Sequence, residues 1–243
     1  MKPIMIIGGT DSSGGAGLIR DAWVAQKLGC QVLPIVTAVT AQSDDMVFNT
    51  QLISTEMIAS QIKAALATTA PAAIKIGMLG NEEIADAVGN AIDRQSCPIV
   101  LDPVLKSSSG RQLMLGQFPR TLLSQAQLVT PNLLEAAALS GYPVAETDDQ
   151  IAAQADWLLS DGAQAVLIKG GHASGETSVD HLYTLAEQNI LTAPRLEVAT
   201  MRGTGCAMAT AIACGLIQGN DLLLACKRAK SFVHNYLREA INI

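Results

Sequence analysis

The sequence predicts a single α/β domain, spanning residues 1–243, in which helices cover both faces of a mainly parallel sheet. Short β-branched runs alternate with longer amphipathic runs rich in alanine and leucine, which is the order of a β–α–β chain. The strand candidates are apolar on both faces, as strands inside a parallel sheet are. Hydrophobic residues make up 49% of the chain and charged residues only 16%, so a large core can form.

The elements follow in order along the chain. Short apolar runs predict strands over residues 4–7, 32–37, 73–76, 99–101, 128–130 and 166–168. Longer runs with helical periodicity predict helices over residues 15–28, 55–68, 81–94, 133–140, 148–160, 206–218 and 221–241. Residues 181–198 predict a hairpin that turns at residues 187–189.

Charge and cysteine content exclude several classes of function. The net charge is −6 and there is no basic block, so nucleic acid and anionic membranes are poor partners. The five cysteines are odd in number and form no CxxC, which argues against a disulfide framework and a zinc site. The apolar run at residues 4–7 is too short for a signal peptide, and no stretch reaches membrane-spanning length. We therefore expect a cytoplasmic protein with free thiols.

The segment Gly203-Thr-Gly-Cys206 opens a helix that is apolar or small on every face, which predicts burial. The first N–H groups of a helix have no partner within the helix and carry part of its positive dipole. Gly203 and Gly205 let a ligand approach the backbone, so the turn is a candidate anion site. The same field favours a thiolate at Cys206. The alternative is a capped core helix with an inert cysteine.

Polar residues cluster at the carboxyl ends of the predicted strands, which is the edge where ligands bind in open α/β sheets. The clusters are Gly8-Gly-Thr-Asp11, Asp102, Thr130-Pro-Asn132 and Lys169-Gly-Gly-His172. Lys169 needs an anionic partner, for which an ATP phosphate or a structural carboxylate would serve. We expect His172 to be structural rather than catalytic.

The glycine-rich segment at residues 8–17 has the GxxxxG spacing of a P-loop between Gly9 and Gly14. The residues that follow are Gly15 and Ala16, where a P-loop needs lysine and then serine or threonine. The GxGxxG dinucleotide fingerprint is also absent. A P-loop NTPase and a Rossmann dehydrogenase are therefore disfavoured, and the segment either wraps a small polar ligand or is a simple turn.

Asn132 and Glu135 place two oxygen-bearing side chains on one face at the start of a helix. Mg²⁺ prefers few protein carboxylates and several waters, so Asp102 and Glu135 are candidate ligands for a hydrated Mg²⁺. The alternative is an asparagine at a helix start followed by an acidic first turn.

Together these motifs resemble the hydroxymethylpyrimidine and hydroxymethylpyrimidine phosphate kinases of thiamine biosynthesis, which have a ribokinase-like fold. The matching motifs run through almost the whole chain in one order: residues 9–17, Ala41-Gln42, Lys75-Ile-Gly-Met78, Asp102-Pro-Val104, Thr130-Pro-Asn132 with Glu135, Lys169-Gly-Gly-His172 and Gly203-Thr-Gly-Cys206. The resemblance implies a three-layer sandwich, ATP and Mg²⁺ as cofactors, and a homodimer. It also implies transfer of phosphoryl groups from ATP to 4-amino-5-hydroxymethyl-2-methylpyrimidine and then to its monophosphate.

The resemblance also assigns roles to individual residues. The implied catalytic group comprises Gly203, Thr204, Gly205, Cys206 and Lys169. The implied ATP and Mg²⁺ site comprises Asp102, Asn132, Glu135, Lys169 and Thr204, with Asp102 and Glu135 as metal ligands. The implied pyrimidine pocket comprises Gly9, Asp21, Gln42, Met78 and Val104.

The chain departs from the family pattern near this pocket. Ser12 replaces a usual proline, Arg202 stands in place of a usual histidine, and Asp45-Met46 replaces a glycine-containing segment. Arg202 either supplies a permanent charge beside the anion site or is a solvated loop residue. Two other functions stay open on this sequence: a pyridoxal-type kinase, and a catalytically weak pyrimidine-binding relative.

Overall fold

The computed structural model describes residues 1–107, 109–170, 175–196 and 201–241. The strands within these ranges are β1 (Pro3–Gly9), β2 (Gln31–Gln42), β3 (Val47–Leu52), β4 (Ala73–Ile76), β5 (Ile99–Leu101), β6 (Leu128–Val129), β7 (Ala165–Lys169), β8 (Thr177–Thr184) and β9 (Gln188–Pro194). The helices are α1 (Gly17–Lys27), α2 (Thr55–Thr68), α3 (Glu82–Ile92), α4 (Arg120–Gln125), α5 (Leu133–Ser140), α6 (Asp148–Ser160), α7 (Thr204–Ile217) and α8 (Leu222–Ile241).

The described strands form one sheet in the order β3-β2-β1-β4-β5-β6-β7-β8-β9. The six strands β1, β2 and β4 to β7 are parallel, while β3, β8 and β9 join antiparallel at the two sides. Because parallel strands end at the same edge, the residues after β1, β4, β5, β6 and β7 are brought together.

Strand β1 shows how the sequence builds the three layers. Its side chains alternate between faces, as the pleat requires. Ile4 and Ile6 pack with α1, α7 and α8 on one face, whereas Met5 and Ile7 pack with α2 to α6 on the other. The predicted three-layer, mainly parallel sandwich is confirmed.

Helix α7 is the most deeply buried helix on its face of the sheet. Every residue from Ala207 to Gly215 is buried, which agrees with the expectation from its all-round apolar sequence. Several other helices begin with a polar side chain that accepts a hydrogen bond from the first turn: Ser54, Asn81, Asn132 and Thr147.

Four features differ from the sequence prediction. Strand β3 and the six-residue helix α4 were not predicted, because β3 is half-exposed and α4 is too short to show a helical period. Strand β2 runs on to Gln42 because it pairs with β3. The hairpin is confirmed, but it begins at Thr177 and turns at residues 185–187, since Gln188 and Asn189 already pair with Tyr183 and Leu182.

In the parts of the chain that the structure describes, every helix is too short or too polar to cross a lipid bilayer.

Candidate functional site

The carboxyl edge of the sheet brings Asp102 and Lys169 into direct contact. Asp102 follows β5 and Lys169 ends β7. Lys169 Nζ donates to Asp102 Oδ1 at 2.8 Å, and Thr130, which follows β6, donates to the same oxygen at 3.4 Å. Burial opposes a charge on Lys169, but Asp102 and Glu135 raise the pKa of its ammonium above the ordinary value. The lysine is therefore held as a cation at the edge of the site.

Asn132 and Glu135 form a reciprocal cap at the start of α5. Asn132 Oδ1 accepts from the Glu135 N–H at 2.9 Å, and Glu135 Oε2 accepts from the Asn132 N–H at 2.8 Å. Asn132 and Glu135 therefore cap the start of α5. Burial raises the pKa of Glu135 to about 7, with Lys169 acting to lower it and Asp102 to raise it.

The carboxylates of Asp102 and Glu135 suit a metal ion whose other ligands come from water and a bound phosphate. Among the residues with defined positions, no group of three or more His, Cys, Asp or Glu side chains is placed to bind a metal ion. Asp102 and Glu135 are close enough to interact electrostatically. Two carboxylates with the remaining positions left to water and phosphate are the donor set that Mg²⁺ accepts. The residues present therefore fit Mg²⁺ shared with a phosphorylated ligand.

The turn at Gly203 and Gly205 lies against this charged group. Gly203 is the N-cap of α7 and has φ 75°, a conformation that favours glycine. A Cβ there would collide with the carbonyl oxygen of Gly15. A Cβ at Gly205 would lie 3.2 Å from Lys169 Nζ and 3.8 Å from Asp102 Oδ2. Thr204 is the first residue of the helix, so the free N–H groups of α7 begin beside the Lys169–Asp102 pair.

Cys206 lies in the first turn of α7 and is half-buried. Burial raises the pKa of its thiol to about 11; Lys75 acts to lower it, and Asp21 and Asp102 act to raise it. The expectation of a thiolate at this helix start is therefore wrong, because burial disfavours the negative charge by more than Lys75 favours it.

A second charged pair lies beneath this turn and was not expected. Lys75 Nζ donates to Asp21 Oδ2 at 2.7 Å, and Thr210 Oγ1 donates to Asp21 Oδ1 at 2.7 Å. Thr210 is four residues beyond Cys206, so both lie on one face of α7. Burial opposes the charge on Lys75, yet Asp21, Cys206 and Asp102 raise its pKa above the ordinary value. Burial also raises the pKa of Asp21, which Lys75 and Thr210 oppose, and the short contact identifies the pair as ionic.

The Lys75–Asp21 ion pair places Asp21 in a different environment from the one expected. The resemblance places Asp21 in the pyrimidine pocket, whereas its side chain is 1% exposed and both oxygens are bonded within the protein. A lysine inside the otherwise apolar strand Ala73–Ile76 was a signal that sequence reasoning left unused, because a buried ammonium requires a carboxylate partner.

The other four residues of the expected pyrimidine pocket lie at the ends of β1, β2, β4 and β5. A Cβ at Gly9 would meet Met78 Sδ at 2.8 Å, so these two residues touch. Met78 is held by its carbonyl, which accepts from Thr37 Oγ1 at 2.6 Å. Gln42 and Val104 are half-buried, the first at the end of β2 and the second two residues beyond Asp102.

Arg202 is neither a free charge nor a solvated residue. Its side chain is 8% exposed, and its Nη2 lies 2.8 Å from Asp11 Oδ2. Its Nη1 donates to Ser13 Oγ at 2.8 Å and to the Ser43 carbonyl at 2.7 Å. The alternative of a solvated loop arginine is therefore wrong, and the guanidinium joins three loops.

The structure thus brings Asp102, Asn132, Glu135, Lys169 and Gly205 to one group at the start of α7, with Gly9 and Met78 together at the ends of β1 and β4. His172 lies outside the described residues.

Comparison with known proteins identifies the relatives of this chain. Residues 11–243 match a protein family described as phosphomethylpyrimidine kinase. The hydroxymethylpyrimidine/phosphomethylpyrimidine kinase of Rhizobium meliloti is 35% identical over 94% of this chain and 87% of its own length.

Solved structures give the same fold. The pyridoxal kinase from Staphylococcus aureus in complex with AMP-PCP has a TM-score of 0.88 and 30% identity, over 98% of this chain and 88% of that chain. The phosphomethylpyrimidine kinase from Clostridium difficile has a TM-score of 0.82 and 30% identity, over 99% of this chain and 100% of that chain.

Proposed function

Because this chain belongs to the phosphomethylpyrimidine kinase family, we propose that it transfers a phosphoryl group from ATP to the hydroxymethyl group of 4-amino-5-hydroxymethyl-2-methylpyrimidine. We propose further that it adds a second phosphoryl group to the resulting monophosphate, within the pyrimidine branch of thiamine biosynthesis. The observation that carries this proposal is the group formed by Asp102, Lys169 and the Gly205 turn at the start of α7.

Phosphoryl transfer requires little covalent chemistry from the protein, so the enzyme acts mainly by positioning the reactants and neutralising charge. In this proposal Lys169 contacts the ATP phosphates, and its cationic form is secured by Asp102 and Glu135. The N–H groups that begin at Thr204 donate to the phosphoryl group during its transfer. Thr204 and Asn132 complete the contacts to ATP. The AMP-PCP bound to the related kinase from Staphylococcus aureus is an ATP analogue, which supports ATP as the donor.

Asp102 and Glu135 would hold Mg²⁺ together with the phosphates. The metal would supply a positive charge to the phosphates. Glu135 has a raised pKa of about 7 in the protein alone, so the positive charge of a bound ion would favour its ionised form.

The acceptor alcohol would lie between Gly9, Gln42, Met78 and Val104, with its hydroxyl directed to Cys206. Gln42 has an amide that both donates and accepts, which suits the edge of an aminopyrimidine. Since the Cys206 thiol is already protonated at physiological pH, we assign it to orient the hydroxyl only. The hydroxyl proton passes late in the transfer to an oxygen of the transferred phosphoryl group. Asp21 supports the pocket indirectly through Lys75 and Thr210.

A second candidate function is phosphorylation of a pyridoxal-type alcohol. The specific observation in its favour is the TM-score of 0.88 with the pyridoxal kinase from Staphylococcus aureus. The pyrimidine alcohol is preferred here because the family match and the curated relative both carry the pyrimidine kinase description.

An assay that couples ADP release to NADH oxidation tests these functions side by side. The protein is given ATP and Mg²⁺ with the pyrimidine alcohol, its monophosphate, pyridoxal or pyridoxine, and products are identified by mass spectrometry. We expect turnover with the pyrimidine alcohol and its monophosphate. Higher kcat/KM with pyridoxal would favour the second candidate, and pyrimidine binding without turnover would identify a binding protein.

We also propose that the protein is a cytoplasmic homodimer. All five cysteines are free thiols, which suits a reducing compartment. Three apolar side chains near the β2–β3 turn are exposed: Val39 on β2 at 48%, Met46 in the turn at 50% and Phe48 on β3 at 63%. Light scattering after size exclusion tests the dimer, and a monomer at micromolar concentration would contradict it.

A further inference from the structure

We propose that Arg202 is a positioning residue that locks the alcohol-binding loops onto the anion turn of α7. The inference rests on the proposed function in one respect: it takes Gln42 as a residue that contacts the alcohol. The contacts that carry it belong to three segments, which are residues 10–16 after β1, residues 42–46 after β2, and residues 201–205 before and within the start of α7. We call the first two segments the alcohol loops.

The positive charge of Arg202 is balanced by a buried carboxylate within the protein. Its guanidinium is paired with Asp11 at 2.8 Å, and the two side chains are 8% and 2% exposed. Asp44 Oδ1 lies 3.4 Å from Nη1 and is itself 83% exposed, so it adds a weaker contact at the rim. A guanidinium has a rigid fork of donors, which lets one side chain bond acceptors on different loops at once.

The two alcohol loops are also bonded to each other. The Ser12 hydroxyl donates to the Gln42 carbonyl and accepts from the Gln42 N–H, both at 2.8 Å. Thr40 Oγ1 donates to the Thr10 carbonyl at 2.8 Å. The backbone of Gln42 is therefore fixed by Ser12, and the carbonyl of the next residue, Ser43, is fixed by Arg202.

The anion turn makes close contact with the same loops. Gly203 packs so tightly on the Gly15 carbonyl that no side chain fits there. Asp11 also accepts from the Ser13 N–H and hydroxyl, each at 2.9 Å, so its carboxylate is directed by its own loop. Arg202 immediately precedes Gly203. A movement of Gln42 is therefore transmitted through Ser43 and Arg202 to the turn where the phosphoryl group is expected.

This arrangement assigns a distinct kinetic signature to Arg202. Loss of the guanidinium frees the alcohol loops while leaving Asp102, Lys169 and Glu135 in place. A displacement of about 1 Å between reacting groups can cost on the order of 10²-fold in rate. We therefore expect Arg202→Met to lower kcat/KM for the alcohol by on the order of 10²-fold, with the KM for ATP unchanged.

The experiment uses the full chain with Arg202→Met, Asp11→Asn, the double variant and Arg202→Lys. Arg120→Met is the matched control, because Arg120 forms a 3.0 Å ion pair with Asp161 but is 76% exposed and lies on α4. If the pair acts as one unit, the double variant is no worse than either single variant. Lysine keeps the charge but cannot bond all three segments at once, so Arg202→Lys should leave kcat/KM for the alcohol lowered.

Hydrogen exchange measured by mass spectrometry gives a readout that does not depend on activity. Peptides covering residues 10–16 and 40–46 should exchange faster in Arg202→Met than in the wild type or in Arg120→Met. Unchanged exchange in these peptides would overturn the lock. Faster exchange with normal kinetics for the alcohol would overturn its role in positioning. If exchange is faster in Arg202→Met but the wild type phosphorylates no pyrimidine alcohol, the lock stands and the proposed function is refuted instead.

Discussion

Two lysine–aspartate pairs contact the first turns of α7, and they differ in how far protein surrounds them. Lys75 and Asp21 are each 1% exposed, and Asp21 has both oxygens bonded by Lys75 and Thr210. Lys169 is 13% exposed and Asp102 3%, and this pair lies at the sheet edge against the Gly205 turn. The same chemistry thus forms one sealed pair beneath the helix start and one open pair beside it.

The difference indicates how each pair is used. A sealed ion pair contributes little net stability relative to apolar side chains, but removal of one partner leaves a buried charge without compensation. An open pair can exchange some of its contacts with a ligand. We therefore attribute support of the helix start to Lys75 and contact with phosphate to Lys169.

The largest effect is expected from breaking the sealed pair. Lys75→Met leaves the Asp21 carboxylate buried without a cation, so the free energy of unfolding should fall by about 3–5 kcal/mol in urea denaturation. Lys75→Met combined with Asp21→Asn removes both charges and should recover much of that loss. Wild-type stability in the single variant would contradict an ionic pair at this position.

Breaking the open pair should affect catalysis more than stability. Lys169→Met removes a cation from the proposed phosphate site, and kcat should fall by about 10²–10³-fold. Its unfolding midpoint should move less than that of Lys75→Met, because Lys169 is partly exposed. Lys169→Arg serves as the control that keeps the charge. A midpoint loss equal to that of Lys75→Met, with kcat intact, would reverse the roles of the two pairs.

Cys206 interacts electrostatically with residues of both pairs. Its substitution tests whether its side chain is needed for the reaction. Cys206→Ala should lower kcat by about 10²-fold, because the hydroxyl loses the side chain that orients it, and leave the alcohol KM nearly unchanged. Cys206→Asp should keep partial activity, since aspartate is the usual base at this position in the wider ribokinase-like group. If Cys206→Ala kept full kcat, the backbone turn and Lys169 would be sufficient for catalysis.

Gln42 lies away from both pairs and should separate alcohol binding from phosphate binding. Gln42→Leu leaves polar atoms of the bound pyrimidine without partners, which should weaken alcohol binding by about 1–3 kcal/mol. The KM for ATP should not change, in contrast to Lys169→Met. Steady-state kinetics with each substrate varied in turn measure both values, and an unchanged alcohol KM would remove Gln42 from the pocket.

The smallest effect concerns the charge of the Cys206 thiol. Burial raises its pKa to about 11, so iodoacetamide should modify it slowly at neutral pH. Because the thiolate is the reactive form, the rate should rise by about tenfold per pH unit until the pH approaches that pKa. Bound alcohol should protect it, and Cys206→Ala identifies any signal from buried Cys214 and Cys226. If the rate of modification by iodoacetamide did not change with pH near neutrality, Cys206 would be a thiolate after all.

The alternation of strands and helices was sufficient to predict the sandwich, because β-branched runs and amphipathic runs follow different periods. It was insufficient for β3, where Val47–Leu52 includes exposed polar residues and is defined by pairing with β2. It also misplaced the β8–β9 turn, because strand pairing rather than the polar residues 187–189 sets its position.

The site shows the same division. Strand ends predicted that Asp102, Glu135 and Lys169 would meet, since parallel strands share an edge. The partner of Lys75 could not be predicted, because Asp21 lies within α1 and not at the shared edge of the sheet. The partners of Arg202 could not be predicted because they lie in loops, whose course no periodic pattern sets. The charge of Cys206 was predicted from the helix terminus alone, and the larger cost of burial only becomes visible once its neighbours are known.

Helix α7 and the residues that flank it bond residues among the first thirty of the chain. Thr210 bonds Asp21 across 189 positions, Arg202 bonds Asp11 across 191, and the side chain of Gln218 bonds the Leu28 carbonyl across 190. A ribosome adds about 5–20 residues per second, so β1 and α1 emerge roughly 10–40 s before the helix that covers them. During that interval the apolar face formed by Ile4, Ile6 and Val24 has no α7 to pack against. The apolar face of β1 and α1 therefore stays uncovered until residues 204–217 have been synthesised.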